Sequence, residues 1–391
     1  MLVMRIRFNS LTKRMPYLFN LAALLLMLSF GSSASSSMRF GADLSYINQV
    51  EDYGGRYYHN GEPRDPYALF AEHGTEMIRL RLWHSPDWHD ELEGASGKLY
   101  SDLADVMHSA ARAKQQGMQV LLNFHYSDSW ADPQHQDIPK AWQAIRELTE
   151  LEQQVYQYTY DTLERMAGKQ LLPEAVQIGN ETNCGMLYTN SPAHFPKLSV
   201  CDGHWLNAGR IFNAAIRAVR DIDQKYRQDT IVLLHVADPA HLAWWFEGIT
   251  KQAKVDDFDA IGFSYYPLWH SSISFDALPE VLQAINQRFE RPLWLLETAY
   301  PHTRQANDSY PNLHGDAPLA AFPASPEGQL AFLQTLRRNL AQSGTEAMFY
   351  WEPGWISSNM RDLWGQGSSW ENCAFFDYQG ELLPAITYQQ E

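Results

Sequence analysis

Cysteine is scarce: the 391-residue chain holds three, Cys184, Cys201 and Cys373, and no CxxC pair occurs. That argues against zinc ligation. No GxGxxG occurs, so the phosphate-gripping turn that a doubly wound open sheet wants after an early strand is missing. Basic residues are outnumbered, 30 Lys and Arg against 46 Asp and Glu, for a formal charge of −16. A surface of that sign repels phosphate backbones, and no nucleic acid partner is expected. After residue 37 there is no long apolar run, linker, internal repeat or low-complexity tract. One domain over 38–391 is expected, working as a monomer with no membrane in its mature form.

The first 37 residues read as an export signal. "RIRFNSLTKRM" is a basic n-region, "LFNLAALLLMLSFG" a short apolar h-region, and "SSASSS" supplies the small residues of a cleavage site. The apolar run is shorter than the roughly 20 residues of a spanning helix. No Cys follows it, which argues against a lipoprotein. The mature protein is expected to be soluble, in the periplasm or secreted. In that setting a disulfide is permitted. Cys184 and Cys201 flank one loop and are the expected pair, with Cys373 left as a buried thiol.

What the chain has in quantity is aromatic surface: thirteen Trp, twenty Tyr and eighteen Phe. Most such rings pack a core. Some are expected to line a groove, because sugar rings stack their C–H faces on aromatic faces.

Short apolar runs alternate with amphipathic stretches. Strands are expected at 40–47, 77–84, 119–126, 175–181, 230–237, 260–266, 292–300 and 347–353. Several are nearly continuous hydrophobics, as in parallel strands covered on both faces. Helical spacing appears between them. Leu103, Val106, Met107 and Ala110 share one face after a capping Ser101 or Asp102, and Gly117 sits where the helix should stop. Ser325 and Pro326 open another, whose stripe is Leu330, Leu333, Leu336 and Leu340. Eight strands alternating with helices predict a (β/α)8 TIM barrel with long loops after the strands.

In such a barrel the carboxyl ends of the strands face the substrate. Polar groups collect there: Asp43, Arg81, His125, Asp128, Asn180 with Glu181, His235, Tyr265, Glu297, and Trp351 with Glu352. Buried carboxylates are costly unless paired or used. Two Glu on non-adjacent strands suggest glycoside hydrolysis, in which one carboxyl protonates the departing oxygen and the other, in a retaining enzyme, attacks the anomeric carbon. Glu352 is read as a paired or substrate-binding acid. Arg79 lies deeper than Arg81 on the same strand face and is read as structural. Trp244 and Trp245 are read as core.

The segments "FGADLSYINQVEDYGG", "IRLRLWHSP", "LLNFHYSDSWADPQHQDIPKAW", "VQIGNETNCGMLY", "GFSYYPLWH", "ETAYP" and "FYWEPGWI" run in order over nearly the whole mature chain. Together they resemble glycoside hydrolase family 53, the endo-β-1,4-galactanases. The resemblance implies retaining endo-hydrolysis of β-1,4-galactan in type I arabinogalactan, with Glu181 as acid/base and Glu297 as nucleophile. It implies that Asn180 binds the 2-hydroxyl of the sugar, that Arg81 and His125 support the nucleophile or that sugar, and that Trp351 forms the floor beneath it. Asp43, Asp128, Trp130, His235 and Tyr265 are further candidates for hydroxyl contacts. No redox cofactor is expected.

Some bacterial relatives hold structural calcium near the last strands. Here Asp308, Asn312 and Asp316 offer oxygens without matching that ligand pattern. Relatives often read "GMLWP" after the acid/base, where this chain has "GMLYTNSP", so Tyr188 and the loop to Cys201 bear on substrate length. Two rivals remain: a mannanase- or cellulase-like enzyme of the same clan, and a non-catalytic carbohydrate-binding barrel, which need not hold two opposed Glu.

Overall fold

Runs such as Val120-Leu121-Leu122 and Val232-Leu233-Leu234 are apolar on successive residues, so both faces of each strand must be covered. A barrel ringed by helices does that. In the computed structural model, which describes residues 38–93 and 98–390, parallel strands close on themselves. They are β1 (Arg39–Asp43), β2 (Met77–Leu82), β3 (Gln119–Phe124), β4 (Ala175–Ile178), β5 (Ile231–Ala237), β6 (Ala260–Ser264), β7 (Leu293–Glu297) and β8 (Thr345–Tyr350). Each pairs with the next, and β1 closes the ring on β8 with Gly41 opposite Phe349. The export signal expected over 1–37 lies outside the described residues.

Alternation decides what fills the barrel. Met77, Leu121, Ala175, Leu233, Ala260, Trp294 and Ala347 form its apolar floor, and Leu296 and Phe349 rise above them. Two glycines make room for these larger side chains. A Cβ on Gly41 would sit 2.2 Å from Phe349 Cδ1, and one on Gly262 would sit 2.4 Å from Leu296 Cδ1. Toward the carboxyl ends the inward positions turn polar: Asp43, Arg79, Arg81, Asn123, Gln177, His235 and Ser264, all buried. The polarity gradient along the axis places the chemistry at one rim.

The helices form where capping and periodicity coincide. Asp102 accepts from the Asp105 amide to start helix Leu103–Gln115, and Ser325 accepts from Gly328 N at 3.0 Å to start Pro326–Ser343. Gly117 and Gly344 follow these helices with φ of 78° and 77°, a conformation glycine adopts without strain.

The strands stop earlier than the apolar runs suggest. β4 ends at Ile178, before Asn180 and Glu181, and β8 ends at Tyr350, before Trp351 and Glu352. At these rims the chain leaves the ladder through left-handed residues: Gly179, Glu181 and Glu352 have φ of 78°, 46° and 47°. Such conformations are costly for non-glycine residues and concentrate at functional sites. After Asp43 the chain turns directly into a short helix, Ile47–Asp52, where a longer strand was expected. Of the Trp244–Trp245 doublet only Trp245 is core; Trp244 is about half exposed, at 48%.

Candidate active site

Glu297 ends β7 and is held at both oxygens. Oε1 lies 2.8 Å from Nη2 of Arg79, and Oε2 accepts from the Tyr266 hydroxyl at 3.1 Å. Arg79 is itself fixed. Its Nη1 donates to Asp43 Oδ2 at 2.9 Å, its Nε to Gln177 Oε1 at 3.0 Å, and its Nη2 to Asn180 Oδ1 at 2.6 Å. Asp43 stands opposite Arg79 in the β1–β2 register and also accepts from the Ser45 amide. Burial pushes the Glu297 carboxyl up, while Arg79 and the Tyr266 hydroxyl pull it back.

Glu181 follows β4 across the barrel mouth. Its Oε1 accepts from the Ser264 hydroxyl at 2.6 Å, and among the described residues no arginine pairs with it. Burial first, and then the Glu297 charge, push its carboxyl well above the usual range, with only Ser264 and a more distant Arg79 opposing. One carboxylate with a guanidinium and a phenol and another with a single hydroxyl separate into a charged and a neutral partner. An oxygen of each, and a ring nitrogen of His235, lie within 4.8 Å of one another.

Asn180 is locked beneath this pair. Its Oδ1 receives Arg79, Asn123 and Gln177, and its Nδ2 donates to the Ala131 carbonyl at 2.8 Å. Gln136 Nε2 ties down the Asn180 carbonyl at 2.7 Å. His125 is buried and its Nδ1 receives the Ala131 amide at 3.1 Å; burial, Arg81 and Arg79 depress its basicity, so it stays neutral.

An aromatic surface adjoins the carboxylates. The Trp351 ring stands 5.5 Å from Trp130 and 4.7 Å edge-on from Trp370. Trp269, 46% exposed, continues it at 6.0 Å from Trp370 and 4.9 Å from Tyr266. The disulfide Cys184–Cys201 closes the loop just after Glu181, and Cys373 is a buried free thiol.

Several expectations need correction. Arg79, read as structural, is the arginine on Glu297. Arg81 instead pairs with Glu352 at 3.1 Å and is sandwiched by Tyr46, Trp83 and Trp130, with its guanidinium carbon 4.2 to 4.7 Å from their ring centroids. The hydroxyl on Glu297 belongs to Tyr266; Tyr265, one residue earlier in the alternation, faces the charges of Asp238 and Asp276 instead. Asp43 and His235 are consumed by protein partners and do not present themselves to a sugar. Asp128 accepts from the backbone of Ser85 and Lys140 and so orders two loops. Ser264, Gln177 and Tyr266 were not singled out in the sequence. The signal for Ser264 was parity: it faces inward with Gly262 at the end of β6.

In the two acidic clusters that could hold a metal, His235, Asp308 and Asp316 have protein partners, and Asn312 Oδ1 is buried with no hydrogen-bond partner among the described residues. His235 Nδ1 already receives the Glu181 amide and Gln177 Nε2, and its Nε2 lies 2.9 Å from the Ser264 hydroxyl, so no lone pair is left for an ion beside Glu181 and Glu297. Asp308 accepts from the Tyr310 and Ser368 amides, and Asp316 is held by Arg304 at 2.7 Å. A guanidinium in contact with the carboxylate disfavours a calcium cage there.

Comparison with known proteins identifies the family. Residues 39–388 match the family model described as Glycosyl hydrolase family 53. The chain is 41% identical over 366 residues to an arabinogalactan endo-beta-1,4-galactanase of Cellvibrio japonicus, covering 92% of each. Among solved structures it is similar to a GH53 catalytic domain of Ignisphaera aggregans, with a TM-score of 0.79, 32% identity, and 92% of this chain and 97% of that one covered. A second likeness is to a structure of fungal beta-1,4-galactanases, with a TM-score of 0.74 and 27% identity over 90% of this chain and 99% of that one.

Proposed function

The chain belongs to glycosyl hydrolase family 53, and from that premise we propose that it cleaves β-1,4-galactosidic bonds within galactan chains with retention of configuration. The observation that carries the mechanism is the pairing of Glu181 and Glu297 at one rim, with carboxylate oxygens within 4.8 Å. Retaining glycosidases hold their carboxyl groups about 5–5.5 Å apart, and inverting ones about 6.5–9.5 Å. The substrate assignment draws on the relatives, which carry the galactanase name over almost the whole length of this chain.

In the proposed reaction Glu297, ionised and steadied by Arg79 and Tyr266, attacks the anomeric carbon. The glycosidic C–O bond breaks toward the departing oxygen, which takes the proton of Glu181. Glu181, now charged, removes a proton from water. The resulting hydroxide displaces Glu297 and releases the sugar with its original β configuration. Trp351, with Trp130 beside it, supplies the floor for the reacting sugar, whose apolar face suits an indole. Asn180 binds the 2-hydroxyl, and His125, tied to the same Ala131, is the second contact to that sugar.

Each chain carries both carboxylates, so a monomer suffices, and no redox cofactor enters. We propose export, with 1–37 removed; the leader composition and the disulfide support that setting. Among the described residues no helix is long and apolar enough to cross a membrane.

The test is a side-by-side reducing-sugar assay on galactan, mannan and cellulose, with the new anomeric proton followed by NMR. Preference for galactan and a β first product support the reading. Preference for mannan or cellulose overturns the substrate, an α first product overturns the mechanism, and binding without cleavage overturns both.

A further inference from the structure

This inference rests on the reading above, because it concerns the residue proposed to deliver the proton. Glu181 has two oxygens, and only one can face the departing group. A chain of buried side chains settles which. The Glu181 backbone amide, an obligate donor, points at His235 Nδ1 from 3.2 Å. Gln177 Nε2 points at the same nitrogen from 2.9 Å, and its amide orientation is fixed because Oε1 accepts from the obligate donor Arg79 Nε. Nδ1 also lies 3.2 Å from Asn180 Oδ1, but that oxygen already accepts from Arg79 Nη2 and Asn123 Nδ2, whereas the Glu181 amide can only donate; Nδ1 is therefore an acceptor, and the ring proton sits on Nε2. Nε2 lies 2.9 Å from Ser264 Oγ and must donate to it. With that lone pair used, the Ser264 hydroxyl directs its own proton to Glu181 Oε1, 2.6 Å away.

We propose that His235 and Ser264 are positioning residues that keep Glu181 Oε1 an acceptor, so that the proton transferred in the reaction resides on Oε2. The proton leaves Oε2 for the departing oxygen as the C–O bond breaks, and the negative charge left on the carboxylate is met at once by the Ser264 hydroxyl on Oε1. Burial and the Arg79 charge hold His235 well below its ordinary basicity, which keeps its ring neutral. The other charged or titratable groups facing Glu181 are Glu297 from β7, Arg79 from β2, Asp132 from the loop after β3 and Tyr266 after β6. None of them donates to Oε1. Ser264 and His235 touch no substrate; they act through Glu181.

The experiment is a pH titration of the full chain carrying 13C-labelled glutamate side chains, with the Glu181 signal assigned by its loss in Glu181→Gln. Ser264→Ala removes a donor to the charged form, so Glu181 should titrate about 1 pH unit higher, the size one charge-assisted hydrogen bond confers. The basic limb of kcat/KM on galactan should move up with it. Ser264→Cys, similar in size with a weaker donor, should fall between, and it serves as the test variant if the alanine chain does not fold. His235→Gln should shift the titration the same way by less, because the serine hydroxyl is then free to turn. A Glu181 titration that stays put in a folded Ser264 variant overturns the proposal, as does an unmoved titration in a folded His235→Gln. Wild-type protein without activity on galactan sinks the functional reading instead, and the titration, which needs no substrate, still decides the relay.

Discussion

One carboxylate oxygen of Glu181, after β4, lies within 4.8 Å of one of Glu297, at the end of β7. That proximity lies on the retaining side of the two spacings glycosidases use. It also makes each charge felt by the other, so the pair titrates as a unit in which Glu181 keeps the proton. Glu181→Gln should therefore lower kcat/KM on galactan by about 10²–10⁴ while sparing the first step on aryl galactosides with good leaving groups. Steady-state and burst kinetics on the two substrates check it; equal losses on both would remove Glu181 from the acid's role.

Arg79 is the counter-charge of Glu297, and its replacement should show in the pH profile. The guanidinium lowers the Glu297 pKa against burial, and the nucleophile must be ionised to attack. Removing the guanidinium raises that pKa, so in Arg79→Lys, which loses the fork that reaches Asp43, Asn180 and Glu297 together, the acidic limb of kcat/KM should move to higher pH. The rate at the optimum should fall by about 10²–10³. Arg81→Lys, whose partner is Glu352, should leave the acidic limb where it is. If the two variants shift that limb alike, the assignment of Arg79 to Glu297 is wrong.

The neighbouring tyrosines make a sharper comparison. Tyr266→Phe deletes the donor to Glu297 Oε2 and should raise the acidic limb and reduce kcat. Tyr265→Phe touches neither carboxylate and should leave the limb unmoved. A kcat/KM profile of each decides between them.

Reduction of Cys184–Cys201 frees a loop whose ends are 17 residues apart in sequence. Loop-closure entropy then predicts a loss of about 3 kcal/mol, read as a lower midpoint in guanidinium unfolding of Cys184→Ala/Cys201→Ala. Cys373, fully buried, should stay unreactive toward a thiol reagent until the chain unfolds. An unchanged midpoint would mean the loop is already restrained in the unfolded chain.

Gly41 tests the barrel interior. A methyl there meets the Phe349 ring at 2.2 Å, and overpacking of this kind costs about 1–3 kcal/mol or more. Gly41→Ala should lower the denaturation midpoint, and adding Phe349→Leu should restore part of it. Additive losses would show that the two sites do not share the space.

Periodicity was enough to find the barrel, because parallel strands covered on both faces are written as apolar runs. Their ends were harder to see. Asn180, Glu181 and Glu352 continue the run in sequence, but left-handed turns take them out of the ladder, and nothing in composition marks a positive φ at a glutamate. The two glutamates stood out because carboxylates at core strand ends need a reason. Their partners did not. Arg79 and Arg81 share one face of β2, and depth alone suggested that the deeper one was structural. In the fold, Asp43 anchors Arg79 from across the sheet and aims it at Glu297, while three aromatic rings capture Arg81. Tyr265 and Tyr266 differ by one step of alternation, and the parity that faces Gly262 and Ser264 inward carries on to Tyr266, not Tyr265. Ser264 looked like any small residue until His235 was placed beside it.

Trapping the glycosyl enzyme addresses the two-glutamate mechanism most directly. A 2-deoxy-2-fluoro-galactobiosyl fluoride slows breakdown of the intermediate, and peptide mass spectrometry of the inactivated chain locates the label. It should sit on Glu297, in the peptide that contains "LLETAYP". Label on Glu181 or Glu352, or turnover with no covalent species, would contradict the roles assigned here.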